Sequence, residues 1–151
     1  MDTLITTRDL NVVAPHSPRV RVCGFVILSR AIDKCRASRA GTLGQYRYDS
    51  PLDNLLFSFK GINADQFRNI VHASATYEQV GAWLQSKGRR QTQDQIVAWS
   101  DEVEKAGLMT DPWRRAEFIE NCTRLGLNPE TTTTFDWLEA DDRASFSSET
   151  V

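Results

Sequence analysis

Residues 30–53 read RAIDKCRASRAGTLGQYRYDSPLD, and the rest of the chain is organised around them. Leu28, Ala31, Ile32, Cys35 and the stem of Arg39 recur at helical spacing, which predicts a helix from about Phe25 to Ala40. Gly41 follows the last periodic residue, where a left-handed C-cap wants glycine. Ser50 is then placed to cap a second helix, with Pro51 as its first residue and Asp53 at the third position of a capping box. Between the helices, Leu43, Gln45, Arg47 and Asp49 alternate with Gly44, Tyr46 and Tyr48. That alternation allows a short extended connector with both tyrosines on one face.

Outward from this stretch, the helix signals repeat. Asn63 with Gln66, Thr76 with Gln79, and Thr92 with Gln95 each form a capping box like that of Ser50 and Asp53. Apolar residues follow each box at helical spacing: Leu52, Leu55, Leu56 and Phe59; Phe67, Ile70 and Val71; Tyr77, Val80 and Leu84; Ile96, Val97, Trp99 and Val103. Asp111-Pro112 opens a further helix, Trp113 to Leu125, stopped by Gly126. The expected class is all-α: a compact bundle of about six short helices with an extended N-terminal arm and a short extended Tyr-containing connector. The arm covers residues 1–22, where Pro15 and Pro18 disfavour helix. A single helical domain follows over residues 23–138, and a polar tail over residues 139–151.

Charge is unevenly distributed. The chain has 151 residues and a net charge of −2. Its first 76 residues carry +4 and the remainder −6, and Arg19 to Arg47 holds seven cations against one acid, Asp33. Such a run can attract an anion, or it can face the acidic C-terminal half. Three cysteines with no close pair fit reduced thiols in the cytoplasm better than a disulfide framework. No apolar run approaches membrane-spanning length. No His or Cys pair has ligand spacing, so no metal and no cofactor is expected. Gly41 and Gly44 do not make a phosphate loop, because no Gly-Lys-Ser/Thr follows.

Chemistry, if present, is expected in the same central stretch. Arg30 and Lys34 are one helical turn apart and share a face, where like charges cost a few tenths of a kcal/mol. They are either a solvated basic face or a pair awaiting an anion. Asp33 and Arg36 are spaced to pair with each other. Asp33, Lys34, Tyr46 and Asp53 are the candidate catalytic residues, and Arg30, Arg36, Gln45 and Tyr48 the candidate ligand-binding residues. Asp53 is equally well explained as a helix cap.

Three blocks carry a family resemblance: Asp33-Lys34-Cys35-Arg36-Ala37, Ala40-Gly41-Thr42-Leu43-Gly44-Gln45-Tyr46, and Pro51-Leu52-Asp53. With Ser17-Pro18-Arg19, Gly61-Ile62, Trp83-Leu84, Ile96 and Trp99, they resemble a bacterial domain-of-unknown-function family, the one numbered 5069. The resemblance covers roughly residues 8–100 and implies a domain but no mechanism. The family usually shows Glu where this chain has Gln45 and Cys where it has Ser50.

The leading expectation is a cofactor-independent enzyme or binding protein acting on a small anionic metabolite. A protein–protein interaction module or homodimer is the alternative, motivated by Trp83, Trp99, Trp113 and Trp137. Nucleic-acid binding through Arg19 to Arg47 ranks last, since no recognition motif accompanies the run.

Overall fold

A computed structural model describes residues 2–147, and among them the architecture is all-α. Seven helices follow in order: α1 (Leu28–Ala40), α2 (Pro51–Lys60), α3 (Ala64–Ala73), α4 (Tyr77–Ser86), α5 (Gln93–Lys105), α6 (Arg115–Arg124) and α7 (Thr134–Ser147). Two isolated β-bridges, Leu4 with Thr76 and Val22 with Phe25, are the only extended pairings among the described residues.

The four capping boxes all form. Ser50, Asn63, Thr76 and Thr92 each accept the backbone N–H of the third helical residue, whose side chain returns a bond to the cap. These reciprocal bonds satisfy donors that a bare helix start leaves open, which is why the starts of α2 to α5 are legible in sequence. α1 is different. It starts at Leu28, about one turn later than its periodicity predicts. Val22 and Phe25 exchange backbone bonds of 3.1 and 2.9 Å across a tight turn in which Cys23 and Gly24 both have positive φ. Ile27 follows at φ 74° with no side-chain cap. A β-branched residue there is strained by roughly 1–3 kcal/mol, held by burial and by its N–H donating to Pro18 O at 2.8 Å.

α1 is the central element. Leu28 through Cys35 are buried without interruption, so this helix has neighbours on every side. α2, α3 and α4 pack against it, and the arm and α7 reach it through side chains. Phe25, Leu28, Ile32, Leu56, Phe57, Phe67 and Val71 form the centre of the core. The buried face of α2 is Asp53, Leu56, Phe57 and Lys60, with Leu55 47 % exposed. This is rotated from the Leu52–Leu55–Leu56–Phe59 stripe predicted from hydropathy, because two charged residues take inner positions with partners waiting. Lys60 Nζ donates to Arg89 O and to Gln91 Oε1, the latter at 2.9 Å.

The connector is turned rather than extended. Tyr46 N–H donates to Leu43 O at 3.1 Å, and Asp49 takes φ 64°. The polar tail expected from residue 139 is instead the body of α7, which carries a helix through Ser147; residues 148–151 lie outside the described residues. The arm is pinned rather than loose: Ile5 N–H donates to Ala75 O and Leu10 N–H to Thr42 O, and Leu10 is buried.

Candidate functional site

The helix α1 places Arg30 and Lys34 one turn apart on a single face, 3 % and 4 % exposed. They are therefore not a solvated basic surface, and each has a carboxylate. Arg30 grips Asp142 of α7 with two parallel bonds, Nη1 to Oδ2 at 2.7 Å and Nη2 to Oδ1 at 3.1 Å. The Tyr46 hydroxyl donates to the same Asp142 Oδ1 at 2.7 Å, and the Arg30 guanidinium lies over the Tyr46 ring. Lys34 Nζ sits 2.9 Å from Asp53 Oδ1 and donates to Ser50 Oγ at 3.0 Å. Asp53, with no exposed surface, thus closes the capping box of α2 and neutralises Lys34 at once.

Beside this cluster lies a cavity of about 1170 Å³, somewhat larger than ordinary small-molecule sites. It is bounded by α1, the connector, α2, α5, α6 and α7. Arg30, Lys34, Gln45, Tyr46 and Ser50 supply polar groups, while Leu52, Leu55, Val103, Phe118, Phe135, Leu138 and Phe146 supply apolar walls. Arg47 and Arg114 also line it, together with the acids Asp111, Glu117 and Asp141. Arg30 and Lys34 are among its lining residues, whereas their carboxylate partners Asp142 and Asp53 are not.

Burial sets the protonation states. It pushes the Lys34 pKa below the ordinary lysine value, with Asp53 pulling the other way. It pushes Tyr46 far above the ordinary phenol range, and the bond to Asp142 adds to that. Tyr46 therefore remains a donor at any physiological pH. Among the described residues, no three His, Cys, Asp or Glu side chains converge as a metal set.

Of the eight predicted site residues, Arg30, Lys34, Gln45 and Tyr46 line the cavity, and Asp53 pairs with Lys34. The other three lie elsewhere. Asp33 points to the arm: its Oδ2 accepts the His16 backbone N–H at 2.7 Å and His16 Nδ1 at 2.6 Å, and its Oδ1 accepts the Tyr77 hydroxyl. Arg8 Nη2 lies 3.1 Å from His16 Nε2. With arginine the obligate donor there, the ring proton belongs on Nδ1. Arg36 does not pair with Asp33; its Nη2 donates to Val71 O and Ser74 O at the end of α3. Tyr48 does not share a face with Tyr46, because the turned connector breaks their alternation. It packs with Phe57 and Phe67 and donates to Ala64 O at 2.6 Å.

Asp142 was missed, having been assigned to the tail. Its signal was present: Phe135, Leu138, Asp142 and Phe146 follow helical spacing, with Asp142 where an apolar residue would otherwise stand. His16 and Tyr77 carried no comparable mark.

The family described as Domain of unknown function (DUF5069) matches residues 12–144. The chain belongs to this family. The DUF5069 match runs beyond the motif-bearing region of residues 8–100 and takes in both Arg30 and Asp142, the two ends of the contact that closes α7 over the cavity. No curated protein shows a significant match to the chain. No helix among the described residues is long and apolar enough to cross a membrane.

Proposed function

We propose that this DUF5069 chain is a cofactor-independent binding protein or enzyme for a small anionic molecule with an apolar body, taken into the cavity beside α1. The observation that carries this reading is that Arg30 and Lys34 line the cavity, each fixed by a carboxylate that does not. Cations fixed in this way present donors to a ligand with little reorganisation on binding. The anionic end of the ligand meets Arg30, Lys34 and the Tyr46 ring region, and its body lies against Leu55, Phe118, Leu138 and Phe146. If the chain is an enzyme, Lys34 is the group that exchanges a proton, since burial already weakens its hold on one. Tyr46, locked as a donor, orients.

Calorimetry against a panel of small aliphatic and aromatic carboxylates and phosphates tests the reading. Binding is expected for members with an apolar body, and Leu55→Trp, which narrows the cavity from a half-exposed wall position, is expected to weaken it while the helical spectrum stays intact. Binding as tight in Leu55→Trp as in wild type places the ligand elsewhere and removes the support for this site.

A second reading, an interaction module, has one specific observation in its favour. Trp113 is 93 % exposed, whereas Trp83, Trp99 and Trp137 are partly buried. Light scattering over a concentration series, repeated on Trp113→Ser, separates self-association through that side chain from a monomer.

A further inference from the structure

Arg36 lies two residues beyond Lys34, so it points to the opposite side of α1, away from the cavity, at about 200° around the helix. There a shallow recess of about 380 Å³ lies between the last turns of α1 and α3, lined by Thr7, Arg36, Arg39, Ala40 and His72. Two buried nitrogens in this recess have no hydrogen-bond partner: Arg36 Nε and His72 Nε2. Helix C-termini attract cations, and that alone accounts for arginines in these turns. Arg36 Nη2 meets the α3 carbonyls in this way, Val71 O at 3.3 Å and Ser74 O at 2.8 Å. It does not account for the two orphaned nitrogens, since a buried polar nitrogen left without a partner costs about 1–3 kcal/mol. Nor does any carboxylate among the described residues form an ion pair with Arg36 or Arg39, while the nearby Arg68 has Asp65 at 2.8 Å.

We propose that this recess binds a dianionic oxyanion, inorganic phosphate or a phosphate monoester, held by Arg36, Arg39 and His72. Two guanidinium groups and an imidazole supply three donor directions and, with the imidazole protonated, three positive charges. That suits a tetrahedral dianion better than a flat monoanionic carboxylate. Without an anion, His72 is held below its ordinary pKa by burial first and then by Arg39, Arg36 and Arg68. A bound dianion offsets the repulsion from these arginines and attracts the imidazolium, so binding takes up a proton on His72. The site is separate from the cavity and does not depend on the function proposed for it.

The chain contains two histidines, so proton–carbon spectra of the imidazoles report this site directly, with His16 as internal control. Inorganic phosphate and phenyl phosphate are titrated in turn against the full chain, with sodium chloride at matched ionic strength as reference. The His72 resonances are expected to move saturably with either phosphate, and the His72 pKa to rise, while His16 stays in place. Tighter binding of phenyl phosphate assigns the site to monoesters, and tighter binding of the inorganic ion assigns it to free phosphate. Arg39 is exposed, so Arg39→Gln keeps the fold; it is expected to weaken binding by about fivefold or more. Arg90→Gln, at an exposed position outside the recess, is expected to leave binding unchanged. The proposal fails if His72 titrates alike in phosphate and chloride, or if both substitutions weaken binding equally.

Discussion

At the scale of single residues, the decisive facts are charges in places where apolar side chains normally stand. Lys34 and Asp53 are both buried and 2.9 Å apart. Removing one partner of such a pair strands the other, at a cost of roughly 3–5 kcal/mol. Asp53→Asn is therefore expected to lose about 3 kcal/mol in urea unfolding near neutral pH, the low end, because the stranded Lys34 can release its proton. The pH dependence follows from that release. The folded-state pKa of Lys34 already lies below the ordinary value, and the substitution lowers it further. Over the interval between the folded and unfolded values, the unfolded chain holds more protons, so stability rises with pH. The deficit of Asp53→Asn against wild type should thus shrink from neutral to alkaline pH; a constant deficit would mean that Lys34 keeps its proton. Ser50→Ala removes the acceptor shared by Asp53 N–H and Lys34 Nζ and should cost about 1 kcal/mol or slightly more. The cap at Ser50 was legible from sequence because it is local. The ion pair was not, because hydropathy assigns lysine and aspartate outward and only tertiary contact reveals a partner.

At the scale of helices, what was readable and what was not divides along the same line. The starts of α2 to α5 rest on bonds spanning three residues, and each was found. The start of α1 depends on Pro18 O and on the tight turn at Cys23-Gly24, contacts from outside its own periodicity, and it was misplaced. α7 was divided between the helical domain ending at residue 138 and the polar tail because Glu139, Asp141, Asp142 and Arg143 mask its stripe. In the structure the acids of α7 are fastened: Arg19 Nη2 reaches Asp136 at 2.8 Å and Glu139 at 3.2 Å, Ser17 donates to Glu139, Arg124 reaches Asp141 at 3.3 Å, and Arg30 holds Asp142. Acid is expected to loosen this docking. Asp136 is held below its ordinary pKa by the Thr133 N–H first, against the opposing effect of burial, with Arg19 helping. Glu139 is also held low: burial works against it, and its bonds from Ser17 and Arg19 outweigh that. A carboxylate with a depressed folded-state pKa stabilises above its unfolded value and loses that contribution as pH falls through the folded one. Trp137 fluorescence, isolated by replacing Trp83, Trp99 and Trp113 with Phe and reporting on α7 against Phe118, should therefore change on acidification below the ordinary carboxylate range before the far-ultraviolet signal of the other helices does. In Arg19→Ala that change should begin at higher pH. Coincident transitions in both signals, unmoved by the substitution, would mean that α7 docks by apolar contact alone.

At the scale of the molecule, the opposed charges of the two halves meet each other. The cations of the basic run that reach the second half find its acids: Arg19 meets Asp136 and Glu139, Arg21 meets Asp101 at 2.7 Å and Glu104 at 3.8 Å, and Arg30 meets Asp142. The charge asymmetry is thus used at least partly within the chain, joining α1 and the loop before it to α5 and α7. These contacts differ in their exposure to salt. The Arg30 pair is nearly sealed, whereas the Arg19 and Arg21 pairs are partly open, with side chains 36 % and 29 % exposed. Mobile ions screen open pairs strongly and sealed pairs little. Open pairs are worth at most about 1 kcal/mol each, so raising sodium chloride from about 0.05 M to about 0.5 M should remove roughly 1 kcal/mol in total. For a domain of this size that is a fall of about 2–4 °C in Tm. The double substitution Arg19→Ala, Arg21→Ala should begin lower and respond much less to salt, because the screened contacts are already gone. A wild-type Tm that holds steady or climbs over the same range would show that the halves are joined by apolar contact, with their charges merely adjacent. The Arg30–Asp142 contact, nearly sealed, lies outside this salt response, so Asp142→Asn, which strands the Arg30 charge, is expected to cost roughly 3–5 kcal/mol in urea unfolding at low and high salt alike.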